Sequence, residues 1–455
     1  MFWIATGLFA VAAGAAIVSA RDLVYDGSYY LLGAAARNGF QLLEPARGVS
    51  QSLQQLFAVA GLRLGVRDLR TLGVLYALGC SGWPVLLTGL CWFVLPRGQK
   101  VWSAGPLFNL VFVMPATSLI GVGEGIIGSC LLWLAFLLIE FRSGTVTGAV
   151  ACVVATAACT LSHEAAVLCL LVIAVAAALR ISTAKGFGRA ALFVTVGAAL
   201  AGAVNMARWI VWPRSAVERG DYFVSLLGGF FGTPSAPNIP AAMSVLAVLC
   251  CAVAFRMARL SRDETRARAL RAWEPVVVAM AIFAVLVAVL FDAGDRLVAP
   301  SRFFAARGLP VALTTLLAAL FLVAKRRGLT PGAFATPPVL AIVLGLALGQ
   351  AAAQLAITQQ WSGFAGALRG LVRSEAGIIS HGEAMRQVDP EGARFRRELL
   401  EVWSIEPLSL FLAPQGHVRA FVVAAPRARW VPYDPRNPAT LPQAPELDYR
   451  SFAPQ

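Results

Sequence analysis

Residues 1–30 read "MFWIATGLFAVAAGAAIVSARDLVYDGSYY". Positions 2–20 carry no charged side chain, and a helix of that length matches the roughly 30 Å of a bilayer's hydrocarbon core. The next ten positions hold Arg21, the carboxylates Asp22 and Asp26, and the tyrosines Tyr25, Tyr29 and Tyr30. An apolar run that ends so abruptly on acids and aromatics predicts a membrane anchor followed by a surface loop. The anchor ends in "VSA", as a signal-peptidase site does, but no basic segment precedes it. A retained helix is therefore expected.

The same pattern continues along the chain. Of 455 residues, 58% are hydrophobic and only 14% charged, with a mean hydropathy of +0.72. Soluble domains carry about 25% charged residues, so an all-α, polytopic membrane protein is predicted. Eleven apolar stretches are long enough to count as spans: 2–20, 71–96, 101–121, 125–140, 144–161, 164–179, 190–212, 240–256, 274–292, 308–324 and 334–356. Residues 1–356 thus form the expected transmembrane domain. Residues 357–455 follow as a small α+β domain, with "LSLFLA" and "RAFVVAA" as its β-like runs.

Net charge is +14. No basic run with interleaved aromatics stands clear of the apolar segments, which argues against a nucleic-acid partner. Lys and Arg accumulate instead on alternate short loops: Arg97 and Lys100; Arg142; Arg180, Lys185 and Arg189; Arg256 to Arg271; and Lys325 to Arg327. Basic residues gather on cytoplasmic loops, so the N-terminus is expected inside and loop 21–70 and the tail outside. The eight cysteines all lie within apolar stretches, lack CxxC spacing and read as small buried hydrophobes.

With that orientation the unusual polar residues share the outer face. Besides Asp22 and Asp26 these are Glu124 in "GVGEGIIG", His163 and Glu164 in "TLSHEAAVL", Arg208 and Arg214 in "NMARWIVWPR", and Arg296 and Arg302 in "DRLVAPSRFF". Each has a plainer reading. Glu124 and Glu164 suit the N-termini of the helices that follow, Ser162 is a candidate N-cap, and arginines anchor to headgroups. Within loop 21–70, Leu53, Phe57, Ala60 and Leu64 fall on one helical face with Ser52, Gln54, Gln55 and Arg63 elsewhere, as expected of a helix lying in the interface. Arginine forks suit phosphate, so a lipid-linked phosphate fits this face.

An N-in first helix, a long outer loop opening on "RDLVYDGSYY", interfacial helices behind it, and a late "SRFFAARGLP" together resemble the GT-C superfamily of membrane glycosyltransferases. The resemblance covers the layout of most of the chain, but its motifs are short. Two positions depart from the family pattern: Asp-Gly at 26–27 replaces the common Asp-Glu, and Phe303 stands where Tyr is frequent. What the resemblance implies is a bacterial inner-membrane enzyme of cell-envelope biogenesis. Such an enzyme moves a sugar, with inversion, from a polyprenyl phosphate to a lipid, glycan or protein acceptor. Asp26 is then the first choice as general base and Asp22 the second, with Glu124, His163 and Glu164 as further acids or acceptor-orienting groups. Arg302, Arg208, Arg214 and Arg296 would meet the phosphate, and Tyr29 and Tyr30 the sugar. No cofactor follows with certainty; a divalent metal is compatible with the acids, but nothing in the spacing demands one. Competing readings are an O-antigen ligase or polymerase using His163 with Arg302, or a non-enzymatic transporter of lipid-linked intermediates. A transporter would spread polar residues through the midplane and show internal repeats.

Overall fold

The computed structural model describes residues 1–24, 26–42, 45–113, 124–163, 166–211, 314–315, 317–326, 328, 337–375, 377–388, 405–412 and 420–423. The described residues are overwhelmingly helical. After α1 (Phe2–Val18), a single turn at Arg21–Leu23 leads into α2 (Asp26–Arg37), and α3 (Gly48–Arg63) completes the first loop. Next, α4 (Leu69–Ala77) begins at Asp68, whose carboxylate accepts from the backbone N–H groups of Arg70 and Thr71 at 3.3 and 2.9 Å. This satisfies two of the N–H groups a helix start leaves open. The helix passes through a π-helical turn at Leu78–Gly82 and continues as α5 (Trp83–Val94).

A short α6 (Ala104–Phe108) is followed by the antiparallel-capable run α7 (Glu124–Phe141), α8 (Val146–Cys159), α9 (Ala166–Ile181) and α10 (Gly186–Val211). Among the described residues two helices are long and apolar enough to cross a membrane, Leu69–Val94 and Gly186–Trp209. The other apolar helices in that set, α1, Gly125–Phe141, α8 and α9, are shorter. The expected spans 240–256 and 274–292 lie outside the described residues, as do parts of 101–121 and 308–324.

Three apolar cores hold the chain. One fills the space between α5, α7–α10 and residues 317–326, with Trp133 edge-on to Phe136 and Phe321 at 5.8 and 5.3 Å. A second joins Phe2 and Phe9 of α1 to Leu107–Val111 and to Leu346 and Ala347 of α11 (Pro337–Ser374). The third contains Leu23, Tyr30, Leu31, Leu32, Leu62, Leu72 and Tyr76 from the beginning of the chain. Trp361, Phe364, Leu368, Leu408, Phe411 and Val422 join them from its end. The boundary expected at 356/357 therefore falls inside one unbroken helix, and the tail shares its core with the first loop.

The tail differs in detail from expectation. "LSLFL" of the first β-like run belongs to a helix, α13 (Ile405–Leu412), whereas "AFVV" is indeed a strand, β2 (Ala420–Val423). Its parallel partner is β1 (Gly377–Ser380), followed by α12 (His381–Val388). Leu408 through Leu412 are all buried, and a run enclosed on every side carries no periodicity to separate helix from strand. Pro407, in the first helical turn, favours the helix.

Around the apolar cores, large apolar side chains also lie on the surface, and several amides lie inside. Val18 is 73% exposed, Val204 72%, Phe93 66% and Val11 64%, while Gln51, Gln54, Gln55, Gln350 and Gln354 are buried. The stripe expected on α3 is split: Leu53 and Phe57 are half-buried, Phe57 stacked on Trp83 at 5.9 Å, whereas Ala60 and Leu64, the residue just past the helix, are exposed, and the glutamines face in.

Close helix crossing sets the glycine positions. A Cβ on Gly79 would overlap the Gln54 carbonyl of α3, whereas one on Gly89 would meet only Trp3 ring atoms at 3.9 Å. Gly79→Ala should lower stability by about 1–3 kcal/mol because backbone must shift, and Gly89→Ala should be neutral or slightly stabilising. Thermal unfolding of both variants in the same detergent checks this pair.

Candidate functional site

The chain leaves α1 through Ala20, whose φ of 50° puts it in the left-handed region. That turn swings Arg21 and Asp22 inward instead of into solvent. Arg21 Nη1 donates to the Gln354 carbonyl at 3.3 Å, to Gln354 Oε1 at 3.1 Å and to Thr358 Oγ1 at 3.1 Å. One turn further along α11, Trp361 Nε1 donates to the Ser19 carbonyl at 2.9 Å. The end of α1 is thereby clamped to the middle of α11.

Asp22 is 2% exposed and accepts a hydrogen bond from Ser81 Oγ at 2.7 Å. Ser81 belongs to the π-helical turn, where the extra residue per turn re-aims side chains. Burial pushes the Asp22 carboxyl up to about 6, against the opposing pull of Arg21 and the Ser81 hydrogen bond.

Asp26 opens α2 four residues later; its side chain lies outside the described part of the structure. Gly27 packs so tightly that a Cβ there would overlap the Asp22 carbonyl. Only glycine fits at this position. Tyr30 is buried, Tyr29 is half-buried, and their rings meet edge to face at 6.3 Å. The Tyr30 hydroxyl accepts from Gln51 Nε2 of α3 at 2.9 Å.

His163, 5% exposed, sits in the turn between α8 and α9. That turn is tied to the start of α3. The Val49 N–H donates to the Leu161 carbonyl at 2.9 Å, and the Ser50 hydroxyl donates to the Ser162 carbonyl. Ser162, expected as an N-cap for the next helix, donates its hydroxyl back to the Cys159 carbonyl at 2.9 Å. The first loop and the His163 turn are thus brought together through α3. Arg208 is exposed in the last turn of α10. The side chain of Glu124 and residues Glu164, Arg214, Arg296 and Arg302 lie outside the described residues. Among the described residues no three His, Cys, Asp or Glu side chains converge as metal ligands.

Ser81, Gln354, Thr358, Gln51 and Gln41 were not singled out in the sequence. One signal was present: "GQAAAQLAIT" places Gln350, Gln354 and Thr358 four residues apart on one face of an otherwise apolar helix, and polar side chains within such helices mark interior or functional faces. No protein-family model matches the chain, and neither a curated protein nor a solved structure matches it.

The Asp22 environment makes stability depend on pH with a definite sign. The folded state holds the proton up to about 6, the unfolded chain releases it near 3.8. This stabilisation is complete below pH 3.8 and is lost as pH rises through 6, by about 3 kcal/mol in all. The unfolding midpoint should rise on acidification from pH 7 to 5. Asp22→Asn, which keeps an acceptor for Ser81, should flatten that dependence and raise the midpoint at pH 7.

Proposed function

We propose that the chain is an integral membrane glycosyltransferase of GT-C type, taking sugar from a polyprenyl phosphate on the extracytoplasmic face of a bacterial inner membrane. The observation that carries this reading is the acid-and-tyrosine segment at the end of α1. Asp22 is buried with a raised proton affinity, and Asp26, Tyr29 and Tyr30 open the helix immediately after it. The surface supports the membrane setting: large apolar side chains face out while amides and a carboxylate face in. The remaining expected spans, the N-in orientation and the outer position of the acids belong to the same proposal.

The chemistry follows from what a carboxylate there can do. Asp26 takes the proton of an acceptor hydroxyl, and the oxygen forms its bond to the anomeric carbon from the face opposite the phosphate. The bond from that carbon to the phosphate oxygen breaks, and its electron pair leaves with the polyprenyl phosphate. Configuration inverts because attack and departure are on opposite faces. Charge grows on the departing phosphate, and arginines among Arg208, Arg214, Arg296 and Arg302 offset it. Asp22, four residues before Asp26, keeps Ser81 and the start of α2 in place.

Purified protein offered a panel of radiolabelled polyprenyl-phosphate sugars should release free carrier with at least one donor. Asp26→Asn should lower kcat by about 10²–10⁴-fold with an unchanged unfolding profile. Asp22→Asn should retain more activity. Full activity of Asp26→Asn overturns the assignment of the base. No turnover from well-folded protein overturns the transferase reading and favours the ligase or transporter readings.

A further inference from the structure

The inward face of α3 holds more amide than its fold requires. Gln51 and Gln55, one turn apart, meet α2 and the connection that follows it. Gln51 donates to the Tyr30 hydroxyl at 2.9 Å. Gln55 forms a reciprocal pair with the backbone of Gln41: its Oε1 accepts from the Gln41 N–H at 2.7 Å, and its Nε2 donates to the Gln41 carbonyl at 2.9 Å. With its backbone thus fixed, Gln41 turns its own side chain into the seam between α2 and α3. The residue is 0% exposed, and neither Oε1 nor Nε2 finds a hydrogen-bond partner among the described residues. The amide lies over Gly33, where a Cβ would come 2.6 Å from Gln41 Cδ. Gly33 is one turn beyond Tyr30 on the same side of α2.

Burying a primary amide without partners is unfavourable, and an unsatisfied buried group calls for a reason. An apolar side chain would fill the same space at less cost. The amide instead presents a carbonyl acceptor and an N–H donor side by side, beside a second amide and a phenol one rung away. That pattern matches neighbouring hydroxyls on a sugar ring, each both donor and acceptor, with the Tyr30 ring as an apolar wall. Gln41 itself stands outside both helices, between the end of α2 and the start of α3.

We propose that the seam formed by Tyr30, Gly33, Gln41, Gln51 and Gln55 is a sugar-binding subsite, with the Gln41 amide as its specificity-determining contact to a pair of adjacent ring hydroxyls. That the bound sugar is the one transferred or accepted rests on the transferase reading; the recognition of a sugar does not.

The test uses the full chain in a polyoxyethylene detergent, which has no sugar headgroup. A panel of methyl glycosides, with cyclohexylmethanol as a control lacking hydroxyl pairs, is assayed by ligand-observed saturation-transfer NMR and by the shift in unfolding midpoint. At least one glycoside should bind and raise the midpoint, and the control should do neither. Gln41→Leu should weaken glycoside binding about tenfold or more, from loss of one donor and one acceptor. It should leave the ligand-free midpoint unchanged or higher. Gln51→Met, which removes the amide donor to the Tyr30 hydroxyl, provides a second variant and should weaken binding less. The proposal is overturned if no glycoside binds the wild type, or if Gln41→Leu and Gln51→Met are both well folded and bind like wild type. Failure is separable from that of the transferase reading. Gln41-dependent glycoside binding without sugar transfer from any lipid-linked donor removes only the transferase. Transfer with a Michaelis constant for the acceptor unchanged in Gln41→Leu, together with unchanged glycoside binding, removes only the subsite.

Discussion

Arg21 leaves the end of α1 with its guanidinium buried and spends one nitrogen on three acceptors of α11. Its Nε finds no hydrogen-bond partner among the described residues, so the Nη1 contacts offset the burial only in part, and removing them leaves a charge whose desolvation costs several kcal/mol. Residues more than 330 positions apart are therefore held together at a single point. Trp361, donating to the Ser19 carbonyl, repeats the attachment one turn on. With α1 and α11 joined there, α2 and α4 meet α13, which packs on β2 of the small parallel sheet, and the beginning and end of the chain close over one core.

The same clamp determines where the acids stand. Ala20 in the left-handed region directs Arg21 and Asp22 inward, and the π-helical turn supplies Ser81 from the opposite side. Asp22 is enclosed by these contacts, and its proton affinity rises because the surroundings solvate its anion poorly. Gly27 then lets α2 start against the Asp22 carbonyl.

Legibility in the sequence varied with the kind of force involved. Helices governed by long apolar runs were readable: Phe2–Val18, Leu69–Val94 and Gly186–Val211 lie where the composition put them. The stripe Leu53, Phe57, Ala60 and Leu64 was readable as a helix face, since 3.6-residue periodicity does not depend on a partner. Which part of that face the rest of the fold covers was not readable, because Trp83, which stacks on Phe57, comes from a distant helix. "LSLFL" defeated the reading because it is buried on all sides and loses its period. The acids and tyrosines after α1 stood out by their abrupt position. Ser81, Gln41 and Gln51 did not, since isolated small or amide side chains carry meaning only beside their partners.

By itself the sequence determined an apolar, helix-dominated chain with polar residues concentrated just beyond its first helix, because composition and periodicity are local properties. Only the tertiary structure decided that Arg21 reaches Gln354 and Thr358. The same holds for the burial of Asp22 against Ser81, for the seam between Gln41 and Gly33, and for the core shared by tail and first loop. Those are meetings between distant segments, and their energies arise from desolvation and pairing that exist only after the helices pack.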